Sequence, residues 1–508
     1  MDEIKYKLET AKDGNPTIIA IKEGKEFPLH SRISPIKESA SADYSIVPEK
    51  FDLIIFIGCG LGYSLIPLKT EINKFKKVII IDDNKELKKF ISQNPHTDFL
   101  VKQKNVIFLE GLKISEINNK IIPMIDFDAI KGISVIEHPQ SFRIFPEYYS
   151  EIKSIINKII NKKASDAASI NAFGKLYLIN ALKNIPLLKN YSNISRLFRQ
   201  FENFPAVVIA SGPSLDSNIS FLRNIQDKIF IIAADSAGGP LAQNGIIPDF
   251  VISVDPQPYI EEHLRLIPEN NSAYIFSITA NAQSVKKHNG FITMTSHPVC
   301  QFIEELSGSV SQSIDSLTGN VSGDALIFAY RAGYRNIGLM GLDFSFSDYS
   351  IYAKGSAYQN RFSLFFQNRI IPVETANLNY IMKSSGGTVC EGKLTRKSFI
   401  NYRNSFEEMI KKNNISGVYN INNSGLDIKG TERISIKNFA DRFCLKTIPK
   451  NDMISALKKK SPALNGIINL FKKNITDEIF TEIISASLGK IPDNHRSAKF
   501  RKMLRSIK

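Results

Sequence analysis

The sequence predicts an α/β chain with two parallel-sheet regions joined by helix. Three observations carry this. Short, continuously apolar runs of about five residues recur, as in strands covered on both faces. Most are followed by a turn or an acidic residue and then a stretch of helical periodicity, the order of βαβ units and of a doubly wound parallel sheet. And 508 residues exceed one hydrophobic core at roughly 150 residues per domain, so the chain should divide.

Residues 1–140 read as a Rossmann-like N-terminal domain. The run Leu53-Ile54-Ile55-Phe56-Ile57 opens into Gly58-Cys59-Gly60-Leu61-Gly62-Tyr63, then a helix-like stretch interrupted by Pro67. The run 78–81 ends in Asp82-Asp83, and the run 105–109 ends in Glu110. Residues 141–200 read as a lysine-rich helical connector, with Ile152, Ile155, Ile156, Ile159 and Ile160 at helical spacing and Phe173-Gly174-Lys175, Asn180 and Asn184 on its last helix. Residues 201–440 read as a central catalytic domain. Its strand runs lie at 206–210, 229–233, 250–254, 273–277 and 336–340, with a short late strand at 417–421. Within it, 345–395 is poor in periodic signal and reads as a long loop-rich insertion of the kind that forms lids and binding loops. Residues 441–508 read as a basic helical end.

Composition narrows the class. With 43% hydrophobic and 23% charged residues the chain is neither disordered nor fibrous. No apolar run approaches the ~18 residues that span a bilayer. The opening Met1-Asp2-Glu3-Ile4-Lys5-Tyr6-Lys7 has no apolar core and is not a secretory leader. A cytoplasmic location without a membrane span is expected. Cys59, Cys300, Cys390 and Cys444 are far apart, with no CxxC, so neither a disulfide framework nor a metal site is expected. The net charge is +15, and the last 58 residues alone hold 12 Lys+Arg against 5 Asp+Glu. That end, including Lys499, Arg501, Lys502 and Arg505, is either a solvated basic helix or a surface that attracts an acidic protein. It carries no nucleic-acid motif and no interleaved aromatics, so no nucleic acid is expected.

The strongest constellation is in the central domain. Ser211-Gly212-Pro213-Ser214 follows a strand and precedes a helix: glycine permits close approach, proline pre-sets the turn, and Ser214 can cap the helix or donate to a phosphate. No GKS or GKT follows, so it is not a P-loop. Asp235, Asp255, Asp343 and Asn281 follow other strand runs, with Asp249 and Gln257 nearby in sequence. In an open α/β sheet ligands sit at the carboxyl ends of the strands, and folding alone gives little reason to gather like charges there. Thr318-Gly319-Asn320-Val321-Ser322 precedes another helix and can present amides and hydroxyls to an anion.

Two further features are open. Gly58, Gly60 and Gly62 with Asp82 resemble a dinucleotide fingerprint, although position 63 is Tyr rather than the third glycine; the turn is either a live second nucleotide-like site or a vestigial scaffold. Among seven histidines, His297 is the best general-base candidate, against the alternative of a structural loop histidine. No GxSxG elbow or local Cys-His pair is present.

In combination these motifs resemble the Maf (motility accessory factor) family of bacterial flagellin glycosyltransferases, whose central domain is shared with the archaeal 6-hydroxymethylpterin diphosphokinase family. The resemblance runs through Gly58–Tyr63, Phe145-Pro146-Glu147-Tyr148-Tyr149, Phe173-Gly174-Lys175 with Asn180 and Asn184, and Ser211-Gly212-Pro213-Ser214-Leu215-Asp216. It continues through Ala234-Asp235, Gly245-Ile246-Ile247-Pro248-Asp249-Phe250, Asp255-Pro256-Gln257 and Gly341-Leu342-Asp343-Phe344. Family members are similar to bacterial sialyltransferases here. The resemblance implies transfer of a nonulosonic acid, such as pseudaminic or legionaminic acid, from a CMP donor to Ser/Thr of flagellin. No cofactor is firmly implied. The glycine turn and Thr318–Ser322 would hold the CMP phosphate, and Asp255, Asp343 or His297 would act as base. Two positions depart from the family: Ala210 stands where glycine is usual, and Ser345 to Ser356 lacks a histidine-containing segment. The alternatives are a pyrophosphokinase holding Mg²⁺ on those aspartates, and a non-catalytic flagellin-binding protein.

Overall fold

The computed structural model describes residues 4–37, 48–124, 132–268, 272–295, 297–307, 313–347, 350–365, 373–458 and 469. The chain divides into two compact units, Met1–Ser169 and Ile170–Lys508. The boundary falls inside one helix, Pro146–Asn184, so the expected connector is not a separate body. Its first half packs Ile152 and Ile156 into a core of the first unit, and its last turns pack Leu178 and Leu182 into a core of the second.

The first unit begins with an antiparallel meander absent from the sequence reading: β1 (Lys5–Thr10), β2 (Pro16–Lys22) and β3 (Lys25–Pro28). Glu23 and Gly24 turn the second hairpin, both at positive φ, as a two-residue turn demands. Behind it lies a parallel sheet of order β6-β5-β4-β7, with β4 (Leu53–Ile57), β5 (Lys77–Asp82), β6 (Val106–Glu110) and β7 (Ile133–Glu137). β4 is buried throughout because alternate residues enter different cores. Ile54 and Phe56 pack with Leu65 and Ile80; Leu53, Ile55 and Ile57 pack with Tyr149, Ile152 and Ile156 of the long helix.

The second unit is built on a nine-stranded sheet. Its strands are β8 (Ser192–Asn193), β9 (Pro205–Ile209), β10 (Phe230–Ala234), β11 (Phe250–Ser253), β12 (Ala273–Ser277), β13 (Gly290–Thr293), β14 (Asn336–Met340), β17 (Val418–Asn420) and β18 (Glu432–Arg433). Its order is β18-β17-β14-β9-β10-β11-β12-β13-β8, and every neighbouring pair is parallel. From β9 the chain steps one way through β13, and β14 then returns to the other side of β9. The switch point therefore lies between β9 and β14, where an open α/β sheet forms a crevice. Val208, Ile232, Ile252 and Ile275 enter the core on one face; Val207, Ile209, Ile231 and Ala233 enter the core on the other. This two-sided burial is the reason the runs are continuously apolar.

Residues 345–395 contain more structure than the sequence predicts: helices Ala357–Phe365 and Val373–Ser385, and the hairpin β15 (Val389–Cys390) with β16 (Lys393–Leu394). A few anchors suffice, since Phe346, Ile351 and Ile381 with Tyr352, Leu394 and Phe399 make a small separate core. Of the basic end, helix Lys450–Leu457 packs Ile454 into the main core. Lys499, Arg501, Lys502 and Arg505 lie outside the described residues. Among the described residues no helix is long and apolar enough to cross a membrane.

Candidate active site

At the switch point the loops after β9 and β14 bond to each other. The Gly212 amide donates to the Gly341 carbonyl (2.9 Å) and the Ser214 amide to Asp343 Oδ2 (2.8 Å). The Ser214 hydroxyl also donates to Asp343 Oδ1, and it lies 3.1 Å from Asn422 Oδ1, which accepts the Gly341 amide at 2.6 Å. Glycine is required at 212 because a Cβ there would stand 2.4 Å from the Gly341 carbonyl oxygen and 2.7 Å from Asp343 Oδ2. This corrects two expectations. The amides of Gly212 and Ser214 are not free to cradle a phosphate, and Asp343 is the acceptor that shapes the turn rather than a free base. Burial raises the Asp343 carboxyl, and the Ser214 bonds oppose that rise. Pro213 carries no N–H and sets the turn; Ser211 donates its hydroxyl to Ser236 Oγ (2.9 Å).

Other expected ligands are engaged in holding the fold. Asp249 sits at the amino end of β11, away from the carboxyl edge, paired with Lys450 Nζ (2.7 Å) and accepting the Ile231 amide (2.7 Å). Lys450 also donates to the carbonyls of Gln226 and Ile229. Asn281 caps helix Ala282–Lys287, accepting from the Ser284 amide at 3.0 Å. Thr318 shares a hydrogen bond with Ser316 Oγ (2.8 Å) and donates to the Asn320 carbonyl; Ser322 donates to Asn320 Oδ1 (2.8 Å). Asn320 caps helix Val321–Ala332, and Gly319 supplies the left-handed turn before it, with φ 77°. The Thr318–Ser322 segment is thus a capped helix start whose hydroxyls are used locally.

Asp235 and Asp255 do come together, at the ends of β10 and β11. Asp235 accepts from Ser253 Oγ (2.8 Å) and the Ser236 amide (2.7 Å), with His263 Nδ1 at 3.6 Å. Asp255 accepts from the Gln257 amide and Tyr259 Oη, both at 2.8 Å, and Gln257 Nε2 reaches Tyr259 Oη at 3.3 Å. The Asp255 carboxyl is raised chiefly by burial and also by the charge of Asp235, against the bonds from Gln257 and Tyr259. For Asp343 the neighbouring like charge is Asp216 instead, so the three aspartates are a pair plus one.

Aromatic rings adjoin the pair through Tyr259 and His263. Tyr358 lies 4.8 Å edge-on from the His263 ring and 6.0 Å from Tyr259, and Tyr352 stacks on it at 4.6 Å. Tyr259 and His263 are four residues apart, a helical spacing visible in the sequence; Tyr352 and Tyr358, from the expected loop, carried no such signal. On the β12–β13 side, Tyr177 of the long helix lies 4.5 Å from the His297 ring, and burial, then Asp255, raises its phenol to about 12. His297 Nδ1 accepts the Val299 amide (3.2 Å), while Nε2 is buried without a hydrogen-bond partner among the described residues. Burial pulls this imidazole down to about 4. It is therefore neutral near pH 7 with its proton on Nε2, a donor rather than the expected base. Asn180 Nδ2 donates to the Pro256 carbonyl (2.9 Å), and Asn184 Nδ2 donates to the carbonyls of Ile278 (2.8 Å) and Ala280 (2.9 Å). These two asparagines fix the loops that carry Asp255 and Asn281.

The glycine turn of the first unit is closed by its own chain. Gly58, Gly60 and Gly62 all have positive φ, but the Leu61 amide donates to His30 Nε2 (2.8 Å) and the Cys59 amide to Asp82 Oδ2 (3.0 Å). A Cβ on Gly60 would lie 2.3 Å from His30 Nε2. The turn runs into a 3₁₀ segment, Tyr63–Leu68, containing Pro67, so it lacks the α-helix whose N-terminus receives a pyrophosphate. The vestigial alternative is the one this geometry favours.

The family model for 6-hydroxymethylpterin diphosphokinase MptE-like proteins matches residues 179–349. The matched stretch holds β8 through β14 and both carboxylates of the pair. Two proteins of Treponema pallidum (strain Nichols), each described as an uncharacterized protein, are similar. One is 25% identical over 333 residues, 64% of this chain and 57% of the relative. The other is 27% identical over 191 residues, 37% of this chain and 89% of the relative. The chain thus spans little more than half the length of the first. A solved Maf glycosyltransferase from Magnetospirillum magneticum AMB-1 shares the fold across 100% of this chain and 90% of its own, with a TM-score of 0.62 at 13% identity.

Proposed function

We propose that the protein is a glycosyltransferase that moves a nonulosonic acid, of pseudaminic or legionaminic type, from a CMP donor to Ser/Thr hydroxyls of flagellin. The observation that carries this reading is the Asp235–Asp255 pair, contacted by Tyr259 and His263 beside the switch point, in a chain with the fold of a Maf glycosyltransferase. The acceptor oxygen attacks the anomeric carbon as the bond to the CMP phosphate breaks, and the acceptor proton passes to a carboxylate. Asp255 suits that role, because its raised carboxyl is a stronger base than an exposed aspartate. His297, holding its proton on Nε2, suits donation to a developing anion.

The pyrophosphokinase alternative fits less well. Asp343, one of the aspartates that would hold its metal, is committed to Ser214. Incubating the protein with flagellin and CMP-pseudaminic or CMP-legionaminic acid tests the reading. Flagellin should gain one nonulosonic-acid mass per CMP released, and Asp255→Asn should lose that gain. Flagellin binding without CMP release from either donor would leave the non-catalytic alternative.

A further inference from the structure

A CMP-activated sugar acid brings oxyanions into the cleft, and the glycine turn expected to receive them has its amides committed to Gly341 and Asp343. Another cation follows a strand tied to the loop after β14. We propose that Arg396 is the anion anchor of this site, receiving a phosphate or carboxylate oxyanion of the donor; the assignment rests on the glycosyltransferase reading above.

Placement comes first. Thr395 Oγ1 donates to the Phe344 carbonyl (2.7 Å), and the Phe346 amide donates to the Leu394 carbonyl (2.9 Å). The strand that delivers Arg396 is therefore tied to the segment leaving β14 at the switch point. Tyr352 packs in one small core with Phe399, the ring beneath Arg396, and stacks on Tyr358 at 4.6 Å, and Tyr358 borders His263. The next residue, Ala353, donates its amide to the Ser211 carbonyl at 2.8 Å. Arg396 thus follows a strand tied to the 344–353 segment, which itself bonds to the glycine turn at Ser211.

Its bonding comes second. The guanidinium carbon lies 4.0 Å from the centre of the Phe399 ring, and Nε is buried with no hydrogen-bond partner among the described residues. Among the described residues no carboxylate pairs with Arg396. The acids on the adjoining segments are engaged elsewhere: Glu391 with Arg403 (2.6 Å) and Asp343 with Ser214. A partly buried cation without a counter-ion is unfavourable in the empty protein, and a planar fork stacked on a ring is the arrangement that receives an oxyanion by two parallel bonds.

Calorimetric titration of the full chain with CMP, N-acetylneuraminic acid and cytidine tests this in wild type, Arg396→Gln and Arg396→Lys. Arg396→Gln should bind CMP or the sugar acid at least tenfold more weakly, bind cytidine like wild type and keep its melting temperature. Arg396→Lys should recover only part of the loss, since a point charge replaces the fork. A loss confined to CMP assigns the phosphate; one confined to the sugar acid assigns the carboxylate. Equal binding of both anions by wild type and Arg396→Gln overturns the anchor, as does wild type that binds neither anion. Arg396-dependent CMP binding without transfer to flagellin would sink the glycosyltransferase reading and leave the anchor standing. Transfer with an unchanged KM in Arg396→Gln would do the reverse.

Discussion

Ser214 and Asp343 hold each other at the switch point, and what they do there decides how a substitution should behave. Both are buried, and Asp343 takes the amide and the hydroxyl of Ser214. Ser214→Ala should therefore lower unfolding free energy by about 1.5–3 kcal/mol, the range for a hydrogen bond to a charged group. Asp343→Ala should cost more, and the double variant less than the sum, because one contact is lost twice. Chemical denaturation of the three variants checks this; additive losses would separate the residues. Asp255 is expected to differ. Asn at 255 keeps an acceptor for the Gln257 amide and removes a charge facing Asp235. Thermal stability should hold or rise while sugar transfer disappears, and a fall of many degrees would mark Asp255 as structural.

Among elements, the long helix Pro146–Asn184 positions the site from outside the sheet. Its last turn gives the carbonyls of Ile278 and Ala280 a shared donor, Asn184 Nδ2. Asn184→Leu leaves both short of a donor, at about 1–3 kcal/mol, and frees the loop bearing Asn281. Both the urea midpoint and turnover should fall; full turnover would show that this loop is indifferent to the helix. The glycine turn of the first unit makes the opposite forecast. His30→Ala strips the Leu61 amide of its acceptor and should cost a similar amount, but CMP affinity should not change. Weaker CMP binding in His30→Ala would reopen the turn as a ligand site.

The whole molecule carries its titration in buried acids. Burial, with the charge of Asp315, lifts the Asp324 carboxyl to about 7 from an ordinary 3.8. The folded state thus holds this proton more tightly than the unfolded chain. Its contribution to stability is complete below about pH 4 and is lost as pH rises through 7. From pH 5 to 8 wild type should lose stability relative to Asp324→Asn; parallel urea midpoints across that range would show that the group does not titrate there. The same molecule shows what could be read along the chain. The runs of β4 to β6, β9 to β12, β14 and β17, their parallel pairing and the positions of both glycine turns were legible, because two-sided burial writes an unbroken apolar run into consecutive residues; β7, β8, β13 and β18 were not. The β1–β3 meander and the helices within 345–395 were not, since each rests on a few scattered anchors such as Ile18, Phe346 and Ile381. Local sequence put serine, glycine and acid at the carboxyl edge. Which of them bond to one another followed from how distant segments meet in the fold. Ser214 meets Asp343 across 129 positions, and Asp249 meets Lys450 across 201. His30 fills the turn at Leu61, and among the described residues none hydrogen-bonds to Arg396 Nε. Hydrogen bonds and ion pairs form through space between distant segments, and local spacing carries no record of them.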